Sequence, residues 1–96
     1  MPVINVSFQV LPQVPGGDIY GVVDKAIAVV QRSGVPYEVG PMETTMEGEL
    51  DELLEIVKKA QQACVDAGAR RVVTLVKIDY APQGVTMAEK VGKYRG

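Results

Sequence analysis

The segment Val3-Ile4-Asn5-Val6-Ser7-Phe8-Gln9-Val10-Leu11 carries two interleaved phases: Ile4, Val6, Phe8 and Val10 are apolar, and Asn5, Ser7 and Gln9 are polar. Successive side chains of a strand point to opposite faces, so this alternation sends one face into a core. The other face is left to water, a ligand or a second protein. The β-branched residues in the apolar phase reinforce the strand reading. Pro12 and the run Pro15-Gly16-Gly17 predict that the strand ends there.

The remaining segments supply what that strand packs against. Residues 18–33 predict a helix, with Asp18 as N-cap and an apolar stripe of Ile19, Val22, Val23, Ala26, Ile27 and Val30. Gly34 stops it by taking the left-handed conformation. Residues 36–47 predict two short strands joined by a bend at Gly40-Pro41, because proline donates nothing to a sheet ladder. Residues 49–67 predict a second helix with the stripe Leu50, Leu53, Leu54, Val57, Ala60 and Cys64, ended by Gly68. Glu47, Glu49, Asp51 and Glu52 crowd its start, where the helix dipole favours negative charge. Residues 70–79 predict the last strand. It is apolar in both phases over its middle, which predicts burial on both faces. Lys77 and Asp79 at its end are expected to pair as ions. The tail opens with a loop, and Thr86 is expected to cap a short helix running to about Tyr94.

The order β-α-β-β-α-β predicts an α+β, ferredoxin-like sandwich. One ligand-binding domain over residues 1–96 is expected, with a four-stranded antiparallel sheet, two helices on one face and a short C-terminal helix. Right-handed crossovers put both helices on the same side. The Ile4 phase then meets the helices, and Asn5, Ser7 and Gln9 point to the open side. A chain of 96 residues buries a modest share of its surface. A bare sheet face on such a chain predicts self-association.

The composition removes several classes of function. Net charge is −2 with scattered basic residues, which argues against nucleic-acid or anionic-membrane partners. No apolar run approaches the roughly 20 residues that span a bilayer. The start MPVINVSFQV lacks the basic region and cleavage site of a signal peptide, so a cytoplasmic setting is expected. The single cysteine forms no internal disulfide and no C-x-x-C metal or cluster motif. The chain has no histidine, which removes the commonest general base and the commonest metal ligand. No glycine-rich loop carries the lysine of a phosphate cradle. These absences point to a binder rather than an enzyme, with no catalytic residue, no metal and no catalytic cofactor expected.

Seven residues stand out as candidate ligand contacts: Ser7, Gln9, Tyr37, Met42, Thr44, Thr45 and Glu47. Ser7 and Gln9 can line a pocket on the open face, or equally be solvated or lie in an oligomer interface. The Thr44 and Thr45 hydroxyls and the Glu47 carboxylate can hydrogen-bond a polar heterocycle, and the carboxylate can balance a cation. Their structural alternatives are β propensity for the threonines and a helix N-terminal charge for Glu47. Alternation allows only one of the two threonines to face an open-side site directly. Tyr37 and Met42 can cover a ligand ring, or simply pack.

The stretch Tyr37-Glu38-Val39-Gly40-Pro41-Met42-Glu43-Thr44-Thr45-Met46-Glu47-Gly48-Glu49 resembles the signature of the small thiamine-binding protein family, ferredoxin-like proteins related to the YkoF domain. That signature has a tyrosine opening the second strand, a bend, a threonine, and a glutamate leading into the second helix. Tyr37, Thr44 and Glu47 occupy those places. The last strand, Arg71 to Asp79, and the first strand ending at Pro12 are similar too. Glu43 stands where many members have glycine, and Tyr80-Ala81 where many have an arginine. The resemblance implies non-catalytic binding of thiamine or a related pyrimidine, as a ligand and not as a catalytic cofactor. It also implies dimers that pair into tetramers through the open sheet faces. The alternative reading is a regulatory or structural oligomer that senses another small metabolite.

Overall fold

In the computed structural model, which describes residues 2–95, the alternating segment forms β1, Ile4–Gln13, and runs through the proline expected to end it. The sheet explains this. Its order is β2-β3-β1-β4, with β2 Tyr37–Val39, β3 Thr44–Gly48 and β4 Arg71–Asp79. β1 pairs with β3 only over Ile4–Phe8, but with β4 as far as Gln13. The Gln13 carbonyl accepts from the Arg70 amide on the β4 side, at 2.9 Å. Alternation therefore turns Pro12 toward the side where β3 has already ended, and no ladder bond is lost.

α1, Ile19–Ser33, begins with the Asp18 carboxylate accepting from the Gly21 amide at 3.0 Å. It ends at Gly34 with φ of 85°, a conformation that costs glycine little. α2, Leu50–Asp66, starts after Glu49 with Asp51 and Glu52 in its first turn. Both helices lie on one face of the sheet, packed on each other and on β1. Ile4, Val6, Phe8 and Val10 meet Val22, Ala26 and Val30 of α1 and Leu53, Ile56, Val57, Ala60 and Cys64 of α2. Met46 adds to this core from β3, opposite Val6. α3, Met87–Arg95, is the short C-terminal helix, and Thr86 Oγ1 accepts from the Glu89 amide at 3.2 Å.

Two expectations fail at β4. The strand is not buried on both faces: Val73, Leu75, Val76 and Ile78 are all exposed. The centre of the sheet belongs to β1, which pairs on both its sides, so β4 is left at the edge. There the helices cover little of it. Lys77 and Asp79 do not pair with each other either, because two residues apart on a strand they reach to different neighbours. Lys77 pairs with Glu43 and Asp79 with Lys90, each at 2.6 Å. No helix among the described residues is long and apolar enough to cross a membrane.

Leu53 is fully buried between α2 and the sheet. Leu53→Ala is expected to lower stability by about 2–5 kcal/mol in urea unfolding with an unchanged denaturant slope. Burial pushes the Cys64 thiol pKa up from its ordinary value. The neutral thiol is thus favoured in the fold, and its stabilising contribution is present at neutral pH and lost as pH rises through the folded pKa. Native protein at pH 8 is expected to resist a thiol reagent that labels the urea-unfolded chain within minutes. Equal labelling of both states would contradict this packing.

Candidate functional site

The β1–β3 register builds the open-face site. Asn5 lies across from Glu47 and Ser7 across from Thr45, and paired residues of an antiparallel ladder share a face. On the other side of β1, Asn5 faces Asp79 and Ser7 faces Lys77. α3 crosses this same side, and between it and the sheet lies a cleft of about 320 Å³. The volume is at the lower end of the range for small-molecule sites. Asn5, Ser7, Thr45 and Lys77 form its floor, and Met87 and Lys90 its roof.

Glu47 ties the two layers together. Its Oε1 accepts the Met87 amide at 2.6 Å and the Asn5 Nδ2 at 3.4 Å. The first of these satisfies a free N–H in the opening turn of α3 and sets a negative charge at the positive end of that helix. Glu47 is thus a helix-terminal charge, but for α3, forty residues away, and not for the helix that follows it. The Lys90–Asp79 ion pair adds a second tie, and the Val85 amide donates to the Val3 carbonyl at 2.8 Å. The turn into this last contact passes through Gly84, whose φ is 94° and where an added Cβ would sit 3.0 Å from the Val3 carbonyl oxygen.

The seven sequence candidates do not converge. Ser7 and Thr45 line the cleft, and Glu47 stands beside it, bonded to Asn5. Thr44 faces the helix side, opposite Phe8, and is buried. Thr44, Gln9 and Met42 border a second, larger groove of about 770 Å³ between the start of α1 and the β2–β3 loop. Tyr37, on the helix side across from Met46, lines neither hollow. Asn5, Glu38, Lys77, Ile78, Asp79, Met87, Lys90 and Val91 complete the cleft and were not among the candidates. Asn5 carried a signal, since it shares the polar phase of Ser7. The tail residues carried none, because nothing local says where α3 docks. Among the described residues no group of three or more metal-ligating side chains gathers.

The α3 ties make a direct prediction. Glu47→Ala removes the carboxylate acceptor and is expected to weaken docking of α3 by about 1 kcal/mol. Gly84→Ala forces a left-handed backbone on alanine next to a carbonyl and is expected to act in the same direction. In hydrogen exchange, both variants should speed exchange at Met87 about fivefold while α2 amides stay protected. Unchanged exchange at Met87 would contradict the tie.

Residues 6–95 match the sequence profile of the family described as thiamine-binding protein. A Clostridium perfringens protein of the UPF0045 family is 60% identical over 99% of this chain and 100% of its own length. Among solved structures, a Bacillus cereus domain of unknown function superposes with a TM-score of 0.95 at 64% identity, covering 98% of this chain and 91% of that one. A Thermotoga maritima protein provisionally named for thiamine biosynthesis or salvage superposes with a TM-score of 0.90 at 41% identity, covering 98% and 100%.

Proposed function

We propose that this chain, which belongs to the thiamine-binding protein family, holds thiamine or a related pyrimidine in the cleft beneath α3 without transforming it. The observation that carries the reading is the pairing of two hydroxyls, Ser7 and Thr45, with the Glu47 carboxylate at one side of a partly apolar cleft. Thiamine presents the complementary chemistry: a hydrogen-bonding aminopyrimidine and a cationic thiazolium. Glu47 Oε1 is committed to Met87 and Asn5, which leaves its second oxygen to offset a cation. Lys77 and Lys90 at the cleft do not oppose one strongly, since each is paired with a carboxylate. Thiamine is a bound ligand in this reading and supplies no catalytic chemistry. The setting is cytoplasmic, and neither nucleic acid nor membrane is a partner.

The reading includes self-association into a dimer or tetramer. Leu11, Val73 and Leu75 form an exposed apolar patch on the open face beyond α3. β4 is a nine-residue edge, and its alternate residues Val72, Thr74, Val76 and Ile78 turn backbone groups outward. Long apolar edges of this kind are templates for pairing with another chain.

Calorimetry is expected to give saturable thiamine binding, with Glu47→Gln weakening it about tenfold through loss of a charge contact. Thiamine should be recovered unchanged after prolonged incubation. No heat at high micromolar thiamine, or turnover of the ligand, would contradict the proposal. Native mass spectrometry is expected to report a dimer or tetramer that Leu75→Lys dissociates. A wild-type monomer would remove the assembly part alone.

A further inference from the structure

Asn5 is a polar side chain in a place where polar side chains are rarely closed off. It sits on the open face of β1, and α3 with its preceding turn is the only element on that side among the described residues, yet Asn5 is only 3% exposed. Its Nδ2 donates to Glu47 Oε1. Its Oδ1 is enclosed and has no hydrogen-bond partner. One other enclosed side-chain atom among the described residues shares that condition, Thr74 Oγ1, near the far end of the sheet. Thr74 lies across from Val10 on the helix side, whereas Asn5 lines the cleft beneath α3.

The orientation of the amide follows from Glu47. An ionised carboxylate only accepts, so the amide nitrogen must face it, and reversing the amide would set oxygen against oxygen. Oδ1 is therefore an acceptor enclosed beside the cleft that Asn5 lines. An enclosed acceptor without a donor is costly, and natural proteins keep such groups where they serve a purpose. Met87 and Val91 make the surroundings partly apolar, which strengthens a hydrogen bond formed there and penalises one left unmade.

We propose that Asn5 is the specificity-determining residue of the cleft, its carbonyl oxygen taking an N–H donor from an amino group on a heterocyclic ligand. This rests on the reading of the cleft as the ligand site. A ligand that brings a donor pairs the oxygen. A ligand of equal shape that brings a carbonyl oxygen instead sets two acceptors against each other. Sites built around a buried hydrogen-bonding group reject the analogue lacking its complement far more strongly than apolar pockets reject a size change. Because α3 closes the oxygen off, the ligand reaches it only where α3 lifts or shifts, so binding and the Glu47–Met87 tie are coupled.

The test compares thiamine with its analogue carrying a carbonyl oxygen in place of the pyrimidine amino group, using wild type, Asn5→Leu and Asn5→Ala. Wild type is expected to prefer thiamine at least tenfold. Both variants should bind thiamine about tenfold more weakly and discriminate less than threefold, with a melting temperature no lower for Asn5→Leu because an unpaired acceptor is removed. Wild-type binding of both compounds with equal affinity, or full discrimination retained in both variants, overturns the assignment of Asn5 alone. Wild type that binds neither compound overturns the cleft as a thiamine site, and this assignment with it.

Discussion

The pairing of β1 with β3 in one register is the constraint on which the molecule depends. Val6 must lie beside Met46 for the core to close, and the same register carries Asn5 to Glu47 and Ser7 to Thr45 on the opposite face. A slip of one residue would turn the apolar phase to solvent and the polar phase into the core. The burial of Ile4, Val6, Phe8 and Met46 thus fixes the positions of side chains that make no contact with the core themselves.

Glu47 extends that constraint to the tail. A helix of nine residues with little buried apolar surface has weak intrinsic stability. α3 is held where it is by a carboxylate on its first turn, by the Lys90–Asp79 pair and by a backbone bond to the start of β1. These are polar ties, strong enough to place the helix and weak enough to exchange. Under the proposed function, a cationic guest meets the Glu47 oxygen that these ties leave open, and a donor that reaches Asn5 requires α3 to shift.

The strands and helices were legible because each rests on local chemistry: period-two alternation in β1, the Asp18 cap and Gly34 stop of α1, and the bend at Gly40-Pro41. The helix side of the open-face question was legible too, since Asn5, Ser7 and Gln9 share a phase. What could not be read was long-range. Whether Thr44 or Thr45 faces the cleft depends on the β1 register, and the structure turns Thr45 toward it. Val72 to Val76 resemble a buried strand because they are apolar in both phases, and only the strand order, which no local signal gives, puts β4 at the edge. The seven candidates scatter, with Ser7 and Thr45 at the cleft and Gln9, Met42 and Thr44 at the groove, because sequence proximity in β2, the bend and β3 does not distinguish the faces of so short a hairpin. The role of Glu47 at the start of α3 depends on a contact across forty residues that leaves no local trace.

The cleft beneath α3 and the groove beside the start of α1 are lined by different residues, which allows a direct test of which is the site. In a ¹H–¹⁵N titration with thiamine, the largest shifts are expected on the Asn5 side-chain amide and the Met87, Ser7 and Thr45 backbone amides. Shifts confined to Gln9, Met42 and Thr44 around the other groove, with the Asn5 and Met87 signals unmoved, would contradict the cleft as the site.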